Sequence, residues 1–190
     1  MRSDQDSPNS DERLIRSAAS GDIDAYAEIY QRYLKPIYKY IFYRVSDVGD
    51  AEDLTEEVFL RVWDRLQKSG GETGIKNFSA WLYRTAHNLV VDFYRSSSLK
   101  NRQDFPAEEV ADPESSTEEI IAKKMESTEL ETAIRSLKEP LQQIIILRFI
   151  NGLSHAETGE ILGLKPGHVR VLQYRALKKL RASLEKDSRL

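Results

Sequence analysis

Cysteine is absent from this chain of 190 residues. That absence excludes a disulfide framework, a cysteine zinc site and a thiol nucleophile, and it fits a reducing cytoplasm. Long apolar runs are also missing, because no stretch approaches the roughly 20 apolar residues that span a bilayer. Residues 1–11 are too polar for a signal peptide. We therefore expect a cytoplasmic protein without membrane insertion, beginning with a short disordered tail over residues 1–10.

The features of common active sites are missing as well. The three histidines, His87, His155 and His168, are scattered without metal-ligand spacing, and no glycine-rich phosphate loop or nucleophile elbow occurs. By these criteria the sequence predicts no enzyme, no cofactor and no metal site. Alternation of apolar and polar residues is scarce, whereas apolar residues at helical spacing recur throughout. The predicted fold class is therefore all-α.

The composition changes sharply in the middle of the chain. Residues 104–119 hold seven acidic residues and no basic ones, and Pro106 and Pro113 lie among them. A segment of this composition cannot bury a core, so we expect an acidic flexible linker between two small helical domains. The predicted divisions are a tail (1–10), a first domain (11–97), the linker (98–118) and a second domain (119–190).

Three helices are predicted in the first domain. Asp22 can cap the first, and Pro36 should kink or break it. The second is expected over about residues 50–66, and Asn77 can cap a third over about residues 78–96. The expected inner faces are Leu54, Val58 and Val62 in the second helix, and Phe78, Leu82, Thr85, Ala86, Leu89 and Phe93 in the third.

The most specific motif lies in the second domain. Ser154 and Glu157 have the spacing of a capping box, which begins a helix. Gly163 can adopt the left-handed conformation that ends it, and Pro166 suits the first position of a new helix. Two helices across a tight glycine turn form a helix-turn-helix. The expected inward stripe of the second helix is Val169, Leu172, Ala176, Leu180 and Leu184.

The second helix of this motif is strongly basic. Eight basic and two acidic residues lie in residues 164–190; cations there can neutralise phosphates, and Arg170 and Tyr174 could reach base edges. A basic helix that only closes a small bundle is the alternative. The capped helix and glycine turn that precede it favour DNA binding. The candidate residues are Lys165, His168, Arg170, Val171, Tyr174, Arg175 and Lys178.

The second helix of the first domain has a mixed outer face. Acids near a helix N-terminus are favourable by themselves, but this does not explain an outward Leu60 and Trp63. A face that is both acidic and apolar favours a protein partner. The candidate residues for that contact are Asp50, Asp53, Glu56, Glu57, Leu60 and Trp63.

The third helix presents cations, an amide and aromatic rings, including Tyr83 and Tyr94. Bases could stack on the rings while the backbone meets the cations, as single-stranded DNA requires. A surface helix with Trp81 partly in the core is the alternative, and composition alone does not decide between the two. The candidate residues are Lys76, Trp81, Arg84, His87, Asn88 and Arg95.

Taken in order, three blocks resemble bacterial sigma factors of the extracytoplasmic-function type, in the sigma-70 family. Residues 50–63, DAEDLTEEVFLRVW, look like the helix that binds core RNA polymerase. Residues 78–95, FSAWLYRTAHNLVVDFYR, look like the helix for promoter melting and minus-ten recognition. The helix-turn-helix looks like the one that reads the minus-thirty-five element. The resemblance covers about residues 11–185.

This resemblance implies two partners, core RNA polymerase and promoter DNA. The polymerase contacts would be the β′ clamp helices and the β flap, with Asp53 and Glu56 on the clamp-docking positions. The loop over residues 68–76 and the third helix would take the unpaired non-template strand, and the acidic linker would lie in the nucleic-acid path. An inhibitory anti-sigma factor is also implied, which could hold the protein at the membrane.

Several residues depart from the family pattern. Glu56 stands where glutamine is usual, Gly159 where alanine is usual, and Lys165 where serine or threonine is usual. Further departures near the base-reading face are His168, Val171, Leu172 and Gln173. They leave the promoter sequence unpredicted.

Two other functions remain open at this point. A free-standing helix-turn-helix regulator would explain the second domain but would leave the two candidate faces of the first without a role. A sigma-mimicking adaptor that binds an anti-sigma factor would not need the basic face of the last helix.

Overall fold

The protein is helical throughout the part of the chain that the computed structural model describes, residues 8–45, 47–70, 73–100 and 129–187. The helices are α1 (Pro8–Ala19), α2 (Ile23–Val45), α3 (Val48–Lys68), α4 (Phe78–Lys100), α5 (129–136), α6 (Glu139–Ile145) with a π-helical continuation (Ile146–Ile150), α7 (His155–Leu162) and α8 (Pro166–Asp187). The all-α prediction is confirmed. None of the described helices is long and apolar enough to cross a membrane.

The first domain packs α1 to α4 around an apolar core. The α2–α3 pair is central, with α1 and α4 packed against both. Burying branched aliphatic side chains at helical spacing is the main source of stability for such a bundle. The largest fully buried side chains at its centre include Ile29, Ile37, Tyr40, Ile41, Val58, Val62, Leu66 and Leu82.

Helix α1 was not predicted. It begins at Pro8, so its first turn overlaps the tail that was expected over residues 1–10. The first turn is polar and gave no apolar signal. Ile15, Ala18 and Ala19 are buried nevertheless, and Asp11 accepts hydrogen bonds from Arg32 and Tyr33 of α2. Burial of this short stripe holds α1 on the bundle. Residues 1–7 lie outside the described part of the chain.

The prediction for Pro36 was wrong in one respect, because α2 continues through it from Ile23 to Val45. The proline removes one backbone donor, yet neighbouring residues Ile37, Tyr40 and Ile41 are fully buried. Ile29, on the N-terminal side of Pro36, is buried as well. Tertiary packing on both sides of Pro36 therefore outweighs the lost hydrogen bond and keeps the two halves in one helix.

The caps of the first domain mostly follow the predictions. Ala25 N–H donates to the Asp22 carboxylate at 3.1 Å, and Ala80 N–H donates to Asn77 Oδ1 at 2.9 Å. Helix α3 begins two residues earlier than expected because Asp47, an unpredicted cap, accepts from Asp50 N–H at 2.9 Å.

The inner faces were predicted in part. Val58, Val62, Phe78, Leu82, Ala86 and Leu89 are buried as expected. Leu54, Thr85 and Phe93 are only half-buried, whereas the unpredicted residues Ala80, Tyr83 and Val90 of α4 are buried. Helix α4 also runs past the expected end at residue 96 to Lys100. It thereby includes the first residues of the predicted linker, the rest of which lies outside the described residues.

The helix-turn-helix forms as its sequence predicts. Ser154 accepts from Glu157 N–H at 3.1 Å, and the Glu157 carboxylate accepts from Ser154 N–H at 2.6 Å, which completes the capping box. Gly163 adopts the left-handed conformation at φ 67° and ψ 30°, and α8 begins at Pro166. A Cβ at Gly159 would lie 2.5 Å from the Leu164 carbonyl oxygen. Glycine there lets the turn fold tightly against α7.

The two domains pack against each other, which the sequence did not predict. Helix α4 contacts α7, and α2 contacts the π-helical segment. The buried apolar residues of both domains form one connected cluster. The second domain therefore lies against the helix, α4, that carries the predicted single-strand face.

Candidate functional site

The outer face of α3 presents acids around an exposed leucine. Asp53 and Glu56 are exposed, and Leu60, one helical turn after Glu56, is 62% exposed. Glu57 is half-buried and pairs with Arg61 at 2.8 Å, one helical turn away. We name Asp53, Glu56 and Leu60 the α3 outer face, a surface with both charge and apolar area to offer a partner.

Two predicted members of this face are less available. Trp63 is half-buried because its ring packs edge-on against Tyr26, with centroids 4.7 Å apart. The Tyr26 hydroxyl donates to the Phe59 carbonyl at 2.6 Å, and burial raises the pKa of Tyr26 to about 12. Trp63 therefore lies at the edge of the face, with only part of its ring exposed.

Asp50 is the second predicted member of the α3 face that is less exposed than expected. It is half-buried at the N-terminus of α3. Burial, together with the nearby carboxylates of Asp47 and Asp53, raises the pKa of Asp50. Its surroundings fit a helix-start position better than the centre of a contact surface.

The predicted DNA-reading face of α8 is fully accessible. Val169 and Ala176 are buried on the opposite side of the helix, which turns the basic side outward. The Tyr174 and Val171 side chains are 70% and 48% exposed. All seven predicted residues are exposed: Lys165, His168, Arg170, Val171, Tyr174, Arg175 and Lys178.

The predicted single-strand face of α4 is divided by the second domain. Lys76, Asn88 and Arg95 are exposed, and Trp81 is half-buried with its ring 5.9 Å from that of Phe78. Arg84 is exposed as well, and its guanidinium points at the end of α7. Its Nε donates to the Ile161 carbonyl at 3.2 Å and a terminal nitrogen donates to the Glu160 carbonyl.

His87 lies on the same covered side. Its Nδ1 is 3.1 Å from Gln143 Nε2 and 3.4 Å from an Arg44 terminal nitrogen. Both neighbours are donors, so Nδ1 accepts and the ring proton resides on Nε2. Partial burial and the Arg44 charge lower the pKa of His87, against a smaller opposing effect of Glu139.

The aromatic platform expected on α4 is smaller than predicted. Tyr83 is buried, with its ring 5.5 Å from that of Tyr40 and its hydroxyl 3.0 Å from Asn151 Nδ2. Placing Tyr83 on the outer surface was therefore wrong. Tyr94 is 45% exposed, but its hydroxyl donates to the Arg44 carbonyl, which fixes the ring near the domain boundary.

Arg44 is the residue that sequence reasoning missed. Its side chain is only 4% exposed and pairs with Glu139 of α6 at 3.0 Å. One signal was present, because Arg44 follows Ile37, Tyr40 and Ile41 at helical spacing and so belongs to their buried stripe. A cation at such a position must find partners, and it finds them across the domain boundary.

Comparison with known families gives two matches in the same order as the two domains. The family model described as Sigma-70 region 2 matches residues 29–99. The model described as Sigma-70, region 4 matches residues 127–180. The first match contains α3 and all but the last residue of α4, and the second contains α7 and α8 up to residue 180.

Comparison with curated proteins and solved structures agrees. The chain is 36% identical over 179 residues to the ECF RNA polymerase sigma factor BldN of Streptomyces coelicolor, covering 93% of this chain and 66% of BldN. It is 30% identical over 185 residues to the ECF RNA polymerase sigma factor SigW of Bacillus subtilis, covering 90% of this chain and 95% of SigW. The fold is similar to that of CnrH in complex with the cytosolic domain of CnrY, with a TM-score of 0.70 at 24% identity, covering 93% of this chain and 98% of that one.

Proposed function

Because this chain belongs to the extracytoplasmic-function RNA polymerase sigma factors, we propose that it docks on core RNA polymerase through the α3 outer face and binds promoter DNA through α4 and α8. Its function is promoter recognition and transcription initiation. The assignment of residues to each contact is our proposal.

The main support for the proposed polymerase contact is the exposure of Leu60 near Asp53 and Glu56. A large apolar side chain left 62% exposed among acids gives a partner both area to bury and charge to pair. The matching surface on core polymerase would be apolar and basic, and the clamp helices are the partner implied by the family. Trp63 would contribute through the exposed part of its ring.

The DNA contacts divide between two helices. On α8, the exposed cations would neutralise phosphates of the minus-thirty-five duplex while Arg170 and Tyr174 meet base edges. On α4, Trp81, Arg84 and Asn88 would take unpaired bases and backbone of the minus-ten strand, with Lys76 and Arg95 at the two ends. His87 lies beside Arg84 and would contribute at the same end of the face.

Further parts of the proposal rest on the family. We expect an anti-sigma factor as a second protein partner, because the sigma factor RpoE of Bartonella quintana, which has a similar fold, was solved in complex with the anti-sigma factor NepR. We expect the protein to act in the cytoplasm, where its polymerase partner is, with the anti-sigma factor able to hold it at the membrane. No catalytic activity is proposed for the chain itself.

The test is co-elution with core RNA polymerase on gel filtration. The purified protein should co-elute, and the variant Asp53→Lys/Glu56→Lys should not, because the reversed charges would repel a basic partner. The matched control is Glu12→Lys/Glu28→Lys, which reverses two exposed carboxylates on α1 and α2 and should still co-elute.

Loss of co-elution in both double variants would show a general charge effect and contradict the assignment to α3. Binding of duplex promoter DNA by the chain alone, without any polymerase association, would instead favour a free-standing regulator. Run-off transcription with the reconstituted holoenzyme then checks initiation directly.

A further inference from the structure

The outermost side chains in the first three turns of α8 are apolar. Val169 and Ala176 are buried against the rest of the domain, and two residues advance a helix by about 200°. Val171 and Lys178 each follow a buried position by two residues, so they point almost directly away from the domain. Tyr174 lies between them at helical spacing. Val171 and Tyr174 are 48% and 70% exposed, and we name them the outer pair of α8.

Cations lie on both sides of the outer pair. Arg170 and Arg175 are each next in the chain to a member of the pair, and both are exposed. Helical geometry places them on opposite flanks of the outward side. A helix in the major groove meets base edges along its centre and the two backbones along its flanks. The outer pair therefore points at the floor of the groove, where the long Arg170 side chain would also reach a base edge.

The side chains that usually read adenine and cytosine are missing from this outward side. Asn or Gln pairs with adenine through two hydrogen bonds, and Asp or Glu accepts from cytosine. Residues 166–176 contain no acid and a single amide, Gln173. That amide is half-buried, and its Oε1 accepts from Arg148 Nε at 3.0 Å. The first three turns of α8 therefore lack an outward side chain that could read either base in this way.

Gly167 favours a close approach of α8 to the base pairs. It lies one turn before Val171 on the same side of the helix, and a Cβ there would meet nothing within 4 Å. Carbon atoms are in contact only within about 4 Å of each other, so a side chain as short as valine needs its backbone near the groove floor. A glycine one turn earlier permits that approach.

Apolar side chains have one distinctive partner in the major groove, the 5-methyl group of thymine. From the geometry of α8 we propose that Val171 and Tyr174 are specificity-determining residues, which select thymine by contact with its methyl group. The proposal rests on the assignment of α8 to the minus-thirty-five duplex made above, and it names the sequence class that α8 reads. The helix rises about 4.5 Å between the two residues, so the two thymines should lie within about two base-pair steps of each other.

The sequence preference is tested with the complete holoenzyme. The protein is assembled with core RNA polymerase, and promoter duplexes with a randomised minus-thirty-five region are selected by binding. We expect T·A pairs to be enriched at two neighbouring positions. Replacing either thymine by deoxyuridine, which lacks only the methyl group, should lower affinity about four-fold, the effect of one buried methyl-sized group.

Alanine variants then assign each thymine to a side chain. In Val171→Ala the effect of deoxyuridine at one position should shrink to less than about two-fold, and Tyr174→Ala should do the same at the other position. A merely structural role would weaken binding of both duplexes equally and leave their ratio unchanged. The matched control is Leu177→Ala, which trims a side chain of α8 that is 40% exposed but lies away from the outer pair. It should keep both deoxyuridine effects.

Equal binding of thymine and deoxyuridine duplexes would overturn the proposal, because the methyl groups would not be read even where T·A pairs are enriched. Enrichment of G·C pairs alone would overturn it too. In both cases the holoenzyme still selects a promoter, so the proposed function stands. Selection of no minus-thirty-five sequence at all would instead remove the assignment of α8 to that element, together with this proposal.

Discussion

At the scale of single residues, two glycines of the helix-turn-helix show how backbone conformation decides which residue is tolerated. Gly163 has φ 67° at the end of α7, where any side chain is strained. Gly167 lies in the first turn of α8, and a Cβ there would meet nothing within 4 Å. Nearly adjacent in the chain, the two glycines should respond to alanine in opposite ways.

We expect Gly163→Ala to lower the free energy of unfolding by about 1 kcal/mol, because alanine must adopt a left-handed conformation there. Gly167→Ala should raise it by up to about 1 kcal/mol, because alanine favours the helix and restricts the unfolded chain. Urea denaturation followed by circular dichroism measures both. A loss of stability in both variants would mean that the turn tolerates no added methyl group, whatever the backbone angle.

Arg44 is the residue that shapes the domain boundary, and its spacing alone did not reveal this. The stripe Ile37, Tyr40, Ile41 and Arg44 places a cation where an apolar residue would suffice for a simple bundle. A buried charge is stable only with partners, and here the partners come from α6, 95 residues along the chain. Spacing could predict that Arg44 faces inward, but not which helix would supply its carboxylate.

At the scale of helices, α8 allows a test of which cations contact phosphate. Arg175 and Lys178 are exposed on the side opposite the buried Val169 and Ala176. If both contact phosphates, Arg175→Gln/Lys178→Gln should reduce the slope of log affinity against log salt by about 0.9 for each lost contact. The measurement is promoter binding by the complex with core RNA polymerase over a series of salt concentrations.

The control for this slope is Lys35→Gln/Lys39→Gln, which removes two exposed cations of α2. Its slope should match that of the unmodified protein. Equal slopes in all three proteins would show that the α8 cations lie away from the backbone of bound DNA, even if affinity falls for another reason.

Local chemistry predicted the helix starts well. Asp22, Asn77 and the Ser154–Glu157 capping box act where the sequence placed them, because a cap depends on residues within one turn. The π-helical segment Ile146–Ile150 had no comparable signal. Its wider turn breaks the helical period, and Phe149 is 51% exposed although most of its neighbours in the chain are apolar.

The outer face of α4 shows why a predicted site could be correct in composition and incomplete in geometry. Periodicity identified a polar side containing Arg84, His87 and Asn88. It could not show how this side is divided: Arg84 and His87 make contacts with α7 and α6, although Arg84 itself stays exposed, as Asn88 does. That division depends on contacts between residues more than 50 positions apart, which no local pattern encodes.

At the scale of the whole molecule, the packing of the second domain on the first should depend on pH through His87. We call the observed arrangement, in which α4 contacts α7 and α2 contacts the π-helical segment, the closed form. An arrangement in which the two domains have separated is called the open form. Its Nδ1 accepts from Gln143 and lies 3.4 Å from the Arg44 guanidinium. The charged and titratable groups that face it are Arg44 and Tyr40 from α2 and Glu139 from α6. Protonated His87 would lose its role as acceptor and place a second cation beside Arg44. The closed form therefore disfavours the proton, and the pKa of His87 is lowered there.

The sign of the effect follows from linkage. The open form, with His87 solvated near its ordinary pKa of about 6.5, binds the proton more readily than the closed form. Closure is then fully stable above that value and weakens as the pH falls through it, by at most about 1.4 kcal/mol for each pH unit. Dyes attached at Arg13→Cys and Lys179→Cys label specifically, because the chain has no cysteine of its own. Energy transfer between them should be constant from about pH 8 to 7 and fall toward pH 5.5, reversibly.

The variant His87→Asn separates this histidine from every other titrating group. The asparagine Oδ1 can take the place of Nδ1 as an acceptor for Gln143, and it carries no titrating proton, so the domains should stay closed down to pH 5.5. His168→Asn, on the exposed start of α8, should keep the pH dependence of the unmodified protein. If His87→Asn opened on acidification like the unmodified protein, the pH response would have to come from groups other than His87. Closure would then depend on the Arg44–Glu139 pair without any contribution from His87.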